Sequence, residues 1–150
     1  MGKYKKLIFV CTGNTCRSPM AEVIYKSYEK VSEMKVISRG IVVLFGEPIN
    51  PKAEIVLNKH DLESKNHMSK GLKGSDLEED TLILAMTASQ KKKVLEQFPE
   101  LKEVYTIKEF AGEIGDVVDP YGGTLMDYEE CFIELARIVK KTVYKLNEDQ

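Results

Sequence analysis

Cys11 and Cys16 stand five residues apart in the stretch VCTGNTCRSPMAE, with Arg17 directly after the second cysteine. A cysteine pair can be a disulfide, half of a metal site, or a nucleophile with a spectator. The residues around this pair favour the last. In Cys11-Thr12-Gly13-Asn14-Thr15-Cys16-Arg17-Ser18, a loop between a strand end and a helix start turns several backbone N–H groups into one concavity. The positive helix end joins them, and together they favour a bound dianion. Gly13 permits the backbone conformations this needs, and Asn14 tolerates the left-handed region. Arg17 adds a permanently charged fork matched to two phosphate oxygens. The same field favours a thiolate at Cys11, so a nucleophile and an oxyanion site share one loop. Zinc is a poor alternative, because only Cys131, inside an expected helix, adds a third sulfur.

A thiolate attacking phosphorus needs an acid to protonate the departing group. The candidate is Asp119 in GDVVDPYGG, where Pro120 stiffens the chain and Gly122-Gly123 allow a tight loop. Taken alone this is an ordinary Asp-Pro turn; the cysteine loop gives it a role. No metal is required, since Arg17 and the loop amides supply the positive field, and no cofactor is expected.

The elements that must position these residues read as alternating strands and helices. Lys6 to Cys11 is a buried strand. Ser18 and Pro19 read as N-cap and first helical position, followed by Met20, Ala21, Ile24, Tyr25, Tyr28 and Val31 at helical spacing. Lys35 to Ser38 is a short strand ended by Gly40, and Asn50-Pro51 opens a helix through about His60 with Ala53, Val56 and Leu57 as its apolar stripe. Asp80 to Met86 is too apolar for a solvated face, as in a parallel sheet covered on both sides. Thr87-Ala-Ser-Gln90 is a capping box for the next helix, ending near Phe98-Pro99. Val104 to Ile107 is a fourth strand. A long helix begins near Thr124, with Leu125, Tyr128, Phe132, Leu135, Val139, Val143 and Leu146 on one face. The expected fold is a single three-layer α/β domain over residues 1–150, a four-stranded parallel sheet with helices on both faces. Cys11 then falls at a carboxyl strand end, where such sheets bind ligands.

Composition sets the background. At 150 residues, 43% apolar and 31% charged, the chain is long enough to bury a core without staples. A net charge of -2 gives nothing that recruits nucleic acid or a membrane surface. The N-terminus MGKYKKLIFVC lacks a secretory apolar region, and three cysteines, an odd number, fit free thiols in a reducing cytoplasm.

These residues together resemble the low-molecular-weight protein tyrosine phosphatase family, whose pattern VCxGNxCRSPxAE is matched without a gap. The resemblance extends to Ser38 before a glycine, Asn50-Pro51-Lys52-Ala53, His67, the strand LILAMT, and DPYGG before a long helix. It implies the family's Rossmann-like architecture, Cys11 as nucleophile, Arg17 as phosphate clamp and Asp119 as general acid. It further implies that Asn14, Ser18, Ser38 and His67 hold the loop open; on its own residues, His67 would read as a surface histidine. Phosphorylated protein substrates and inorganic phosphate as product follow. The slit is expected between Tyr121 and the segment Val42 to Gly46, with Leu44 or Phe45 as contacts; ordinary core packing is the competing reading for Leu44. Cys16, beside Cys11, is expected to be able to form a reversible disulfide with it.

Three departures matter. Arg39 stands where the family has a small residue. Arsenate reductases share the loop but need two later cysteines in a flexible segment, whereas here only Cys131 follows. Thr15 replaces the bulkier apolar residue of tyrosine-directed members; the protein-arginine phosphatase branch instead carries CTGNTCRSPMAE and GDVxDPxGG. A hydroxyl at Thr15 leaves room and a polar partner for a planar guanidinium, so phosphoarginine is the favoured substrate and phosphotyrosine the alternative. A small-molecule phosphatase and a non-catalytic phosphate-binding module are the remaining readings.

Overall fold

The computed structural model describes residues 3–29 and 32–148. Strand β1 (Lys6–Cys11) lies at the centre of a sheet with β2 (Lys35–Gly40) on one side and β3 (Thr81–Ala85) on the other, and β4 (Val104–Thr106) forms the far edge. All pairings are parallel, in the order β2-β1-β3-β4. A chain that goes from β1 to one neighbour and later returns to the other side leaves a crevice between the carboxyl ends of β1 and β3. The cysteine loop opens there.

Every residue of β1 and β3 is buried, and strand alternation divides them between two layers. Leu7, Phe9, Leu82 and Leu84 face a core completed by α1 (Arg17–Tyr28), α2 (Pro51–Lys59) and α5 (Leu125–Glu148). Ile8, Val10 and Ile83 face the opposite layer, where Val94 of α3 (Ala88–Gln97) and Leu72 meet them. The expected α/β fold with helices on both faces is the one observed.

Local signals account for most boundaries. Asn50 caps α2 by accepting from the Lys52 N–H at 2.9 Å. Thr87 and Gln90 form a reciprocal capping box at α3. Thr124 opens α5, its hydroxyl accepting from the Asp127 N–H at 3.2 Å. Four readings change. Ser18 is not the N-cap of α1: Cys16 occupies that position, with no side-chain cap, because the Ser18 hydroxyl is turned toward Cys11. Tyr28 is exposed rather than part of the buried stripe, and Val31 lies outside the described residues. Ile107 is not in the fourth strand; Thr106 caps a one-turn helix there, α4 (Ile107–Phe110), through the Glu109 N–H. In α5, Leu125 is exposed, and Cys131 and Ile138 join the buried stripe. Among the described residues no helix is long and apolar enough to cross a membrane.

Candidate active site

The loop after β1 is built on a buried hydrogen-bond network centred on Asn14, which sits at φ 58° in the left-handed region. Its side-chain Oδ1 accepts from the Lys70 N–H at 3.0 Å. The amide is therefore oriented so that Nδ2 donates to Ser18 Oγ at 2.8 Å and to Ser38 Oγ at 3.0 Å. His67 Nε2 donates to the Asn14 carbonyl at 2.7 Å; a carbonyl only accepts, so this nitrogen carries the proton. Far from being a free surface side chain, His67 is a half-buried tie.

The consequence falls on Cys11. Ser18 Oγ lies 2.9 Å from Cys11 Sγ, and the Asn14 N–H donates to the same sulfur at 3.3 Å. Asn14 donates into one lone pair of Ser18 Oγ, and the serine's own proton has two acceptors in reach, Cys11 Sγ at 2.9 Å and the Arg39 carbonyl at 3.5 Å, of which the sulfur is the nearer. The Ser18 hydroxyl and the Asn14 N–H thus both face Sγ and can hydrogen-bond it as a nucleophile. Gly40 makes room for this. A Cβ there would approach Val43 Cγ2 to 2.6 Å, the Thr12 carbonyl to 2.9 Å and Asn14 Cβ to 3.0 Å, so no larger residue fits without displacing the loop. In the sequence Gly40 reads only as a strand terminator, because two of the three close approaches are made by Thr12 and Asn14, distant along the chain.

Arg17 opens α1 with only 5% of its surface exposed. Its guanidinium donates to the Val117 carbonyl at 2.8 Å and lies 3.5 Å from Asp119 Oδ2. The two expected partners, from opposite ends of the sequence, are thus brought together. Asp119 remains half exposed, and its Oδ1 accepts from the Tyr121 N–H at 3.0 Å, a turn that holds the carboxylate at the rim. Tyr121 itself is exposed.

All three cysteines are free and buried. Burial raises the Cys16 thiol well above the ordinary range, with the nearby Cys131 and Cys11 adding to it. Burial likewise pushes Cys131 up to about 12. Thr15 is half buried, its carbonyl accepts from the Asn50 N–H at 2.8 Å, and its hydroxyl has no protein partner among the described residues. Leu44 is 89% and Phe45 69% exposed, so core packing does not hold Leu44. Both lie on the segment leaving β2, which the Val42 N–H ties to the Thr12 carbonyl at 2.9 Å.

Arg39 turns away from the loop. Its Nε donates to Asp76 Oδ2 at 3.1 Å and its Nη1 to the Ser38 carbonyl at 2.8 Å, so the bulk that stands out in the sequence does not crowd the site. Sequence reasoning missed Val117 and Lys70, which contribute only backbone atoms and leave no side-chain signal. It also gave Gln90 only a capping role, although its side chain reaches Thr12.

Comparison with known proteins bears on this arrangement. The chain is 38% identical to the protein-arginine-phosphatase of Bacillus subtilis strain 168, with 96% of this chain and 98% of that one covered. It is 36% identical to the low molecular weight protein-tyrosine-phosphatase PtpB of Staphylococcus haemolyticus strain JCSC1435, covering 91% and 96%. Its fold superposes on YwlE arginine phosphatase from Geobacillus stearothermophilus with a TM-score of 0.91 at 35% identity, over 97% of this chain and 94% of that one. Residues 6–150 match the family described as low molecular weight phosphotyrosine protein phosphatase. With the cysteine loop, the buried arginine and the facing Asp-Pro loop already in place in one crevice, the chain belongs to the low molecular weight phosphotyrosine protein phosphatase family.

Proposed function

We propose that this protein is a cytoplasmic phosphatase that hydrolyses phosphorylated protein side chains through a cysteinyl-phosphate intermediate, with phosphoarginine its favoured substrate. The observation that carries the catalytic part is the convergence of Ser18 Oγ and the Asn14 N–H on Cys11 Sγ at 2.9 and 3.3 Å, beside an arginine that reaches Asp119. In the first step Cys11 Sγ attacks phosphorus and the bond to the leaving group breaks, while Asp119 gives that group its proton. The loop amides of Thr12 to Ser18 and the Arg17 fork hold the equatorial oxygens as charge develops. In the second step Asp119, now a carboxylate, takes a proton from water as it attacks, and the S–P bond breaks to release inorganic phosphate. Asn14, Ser18, Ser38 and His67 act by keeping the loop open and the sulfur charged.

Substrate choice rests on Thr15. Its unpartnered, half-buried hydroxyl is available to a guanidinium N–H, and its small side chain leaves width in a slit walled by Tyr121 and by Leu44 or Phe45. Similarity to a protein-arginine-phosphatase supports this reading; similarity to a protein-tyrosine-phosphatase keeps phosphotyrosine as the second reading. The test is kcat/KM on phosphoarginine and phosphotyrosine peptides for the wild type and Thr15→Ile, with Cys11→Ser as the inactive control. The substitution is expected to shift the ratio toward phosphotyrosine by roughly tenfold or more, the effect of about 1.4 kcal/mol. An unchanged ratio would overturn the specificity assignment, and activity retained in Cys11→Ser would overturn the mechanism.

A further inference from the structure

Gln90 closes the capping box of α3, and that role uses only its carbonyl oxygen. Oε1 accepts from the Met86 N–H and the Thr87 N–H, both at 3.0 Å. Two donors occupy both lone pairs, so the orientation of the amide is settled and Nε2 must face the other way. There it donates to Thr12 Oγ1 at 3.1 Å. A capping box works equally with glutamate or glutamine, but only glutamine carries this donor. The link spans 78 residues and joins the carboxyl ends of β1 and β3 across the crevice that holds the site.

Its two ends sit in different surroundings. Gln90 is 4% exposed, whereas Thr12, the residue after Cys11, is exposed at the rim. Having accepted from Gln90, the Thr12 hydroxyl has its own proton to give, and no protein acceptor takes it among the described residues. The phosphate-binding part of the loop lies deeper, where Arg17 and Asn14 are buried. A donor at the rim therefore meets what projects from the loop, namely the polypeptide that carries the phosphoryl group.

We propose that Gln90 is a positioning residue that polarises Thr12 into a hydrogen-bond donor for a carbonyl oxygen of the substrate polypeptide. This rests on the phosphatase reading above. Gln90→Glu tests it with little disturbance: the carboxylate still accepts from Met86 and Thr87, but it can no longer donate, so the Thr12 hydroxyl turns inward to donate to it. The measurement is KM and kcat for a phosphopeptide and for p-nitrophenyl phosphate, with the Ki of inorganic phosphate, in Gln90→Glu, Thr12→Val, Thr12→Ser and the Gln90→Glu/Thr12→Val double variant.

Gln90→Glu and Thr12→Val are each expected to raise KM for the phosphopeptide by roughly 3- to 10-fold, the range of one hydrogen bond. In Gln90→Glu the small ester, the Ki of phosphate and kcat should stay at wild-type values, Thr12→Ser should keep the phosphopeptide KM that Thr12→Val loses, and the double variant should raise that KM no further than Thr12→Val alone. Equal losses on peptide and small ester would show that the new charge or a distorted loop is responsible, and would overturn the proposal. So would additive losses in the double variant, or a phosphopeptide KM unmoved by Gln90→Glu. A wild type inactive on both substrates would instead remove the phosphatase reading on which it stands.

Discussion

At the scale of single residues, the three cysteines differ in what surrounds the sulfur rather than in how buried they are. Cys11 receives two donors, while burial holds Cys16 and Cys131 in the protonated form. Iodoacetamide near neutral pH should therefore modify one thiol quickly, in a reaction blocked by inorganic phosphate and absent from Cys11→Ser. Cys16 and Cys131 should react only after unfolding, as peptide mapping would show; rapid labelling of either in the native protein would contradict the assignment. Asp119 is a rim carboxylate turned toward Arg17, and in the proposed mechanism it serves proton transfer more than binding. Asp119→Asn is expected to lower kcat by roughly 10²- to 10⁴-fold with a much smaller change in KM, measured by steady-state kinetics. A loss confined to KM would remove it from the acid role.

At the scale of elements, the segment from His67 to Glu78 acts as a strap across β2. At one end His67 and Lys70 hold Asn14; in the middle Gly40 exchanges backbone hydrogen bonds with Lys70 and Leu72. At the other end a short 3₁₀ turn, Gly74–Asp76, is pinned by Arg39 and by the buried Lys6, whose Nζ donates to the Asp76 carbonyl at 2.6 Å. Burial raises the Asp76 carboxyl, but the Lys73 N–H and the Arg39 hydrogen bond and charge outweigh it, and the net direction is down. A carboxyl held below its unfolded value contributes stability above about pH 4, its ordinary range, and loses that contribution as pH falls through the folded value. Asp76→Asn should thus cost about 1–2 kcal/mol near neutral pH, and the gap to wild type should close on acidification. Urea titrations at several pH values measure this; a gap independent of pH would mean that the charge is not what holds the strap.

For the whole molecule, the site is carried by a sheet whose two covered faces fix where β1 and β3 end. The face toward α5 depends on fully buried side chains such as Leu135, Ile138 and Val139. Leu135→Ala should lower stability by about 2–5 kcal/mol, a fall in Tm on the order of 10 °C for a domain of this size. Leu135 makes none of the hydrogen bonds that shape the cysteine loop, so kcat/KM well below Tm should remain at the wild-type value. Calorimetry and kinetics on the same preparation check both halves of that statement.

Much of this was legible before any coordinates. Chemical type and local spacing are properties of a contiguous stretch, so the cysteine loop with its arginine, the Asp-Pro loop, the strand cores, the capping box at Thr87 and the start of the last helix near Thr124 could be read directly. Beyond the tie of Asn14, Ser18, Ser38 and His67 that the resemblance implied, what remained hidden was the contact between distant segments. Ser18, a natural N-cap by type, was claimed by the sulfur it faces. Arg39, conspicuous by its size, was drawn off to Asp76. Gly40 is required by three groups that converge on it only in the fold, and Gln90, complete as a cap, had a spare donor that mattered only once β3 stood beside β1. The sequence by itself determined which groups can do chemistry and which elements present them, because those depend on covalent structure and short-range geometry. Only the tertiary structure decided which hydrogen-bonding partner each polar group takes, because a buried donor or acceptor must be satisfied by whatever the packed sheet brings within reach.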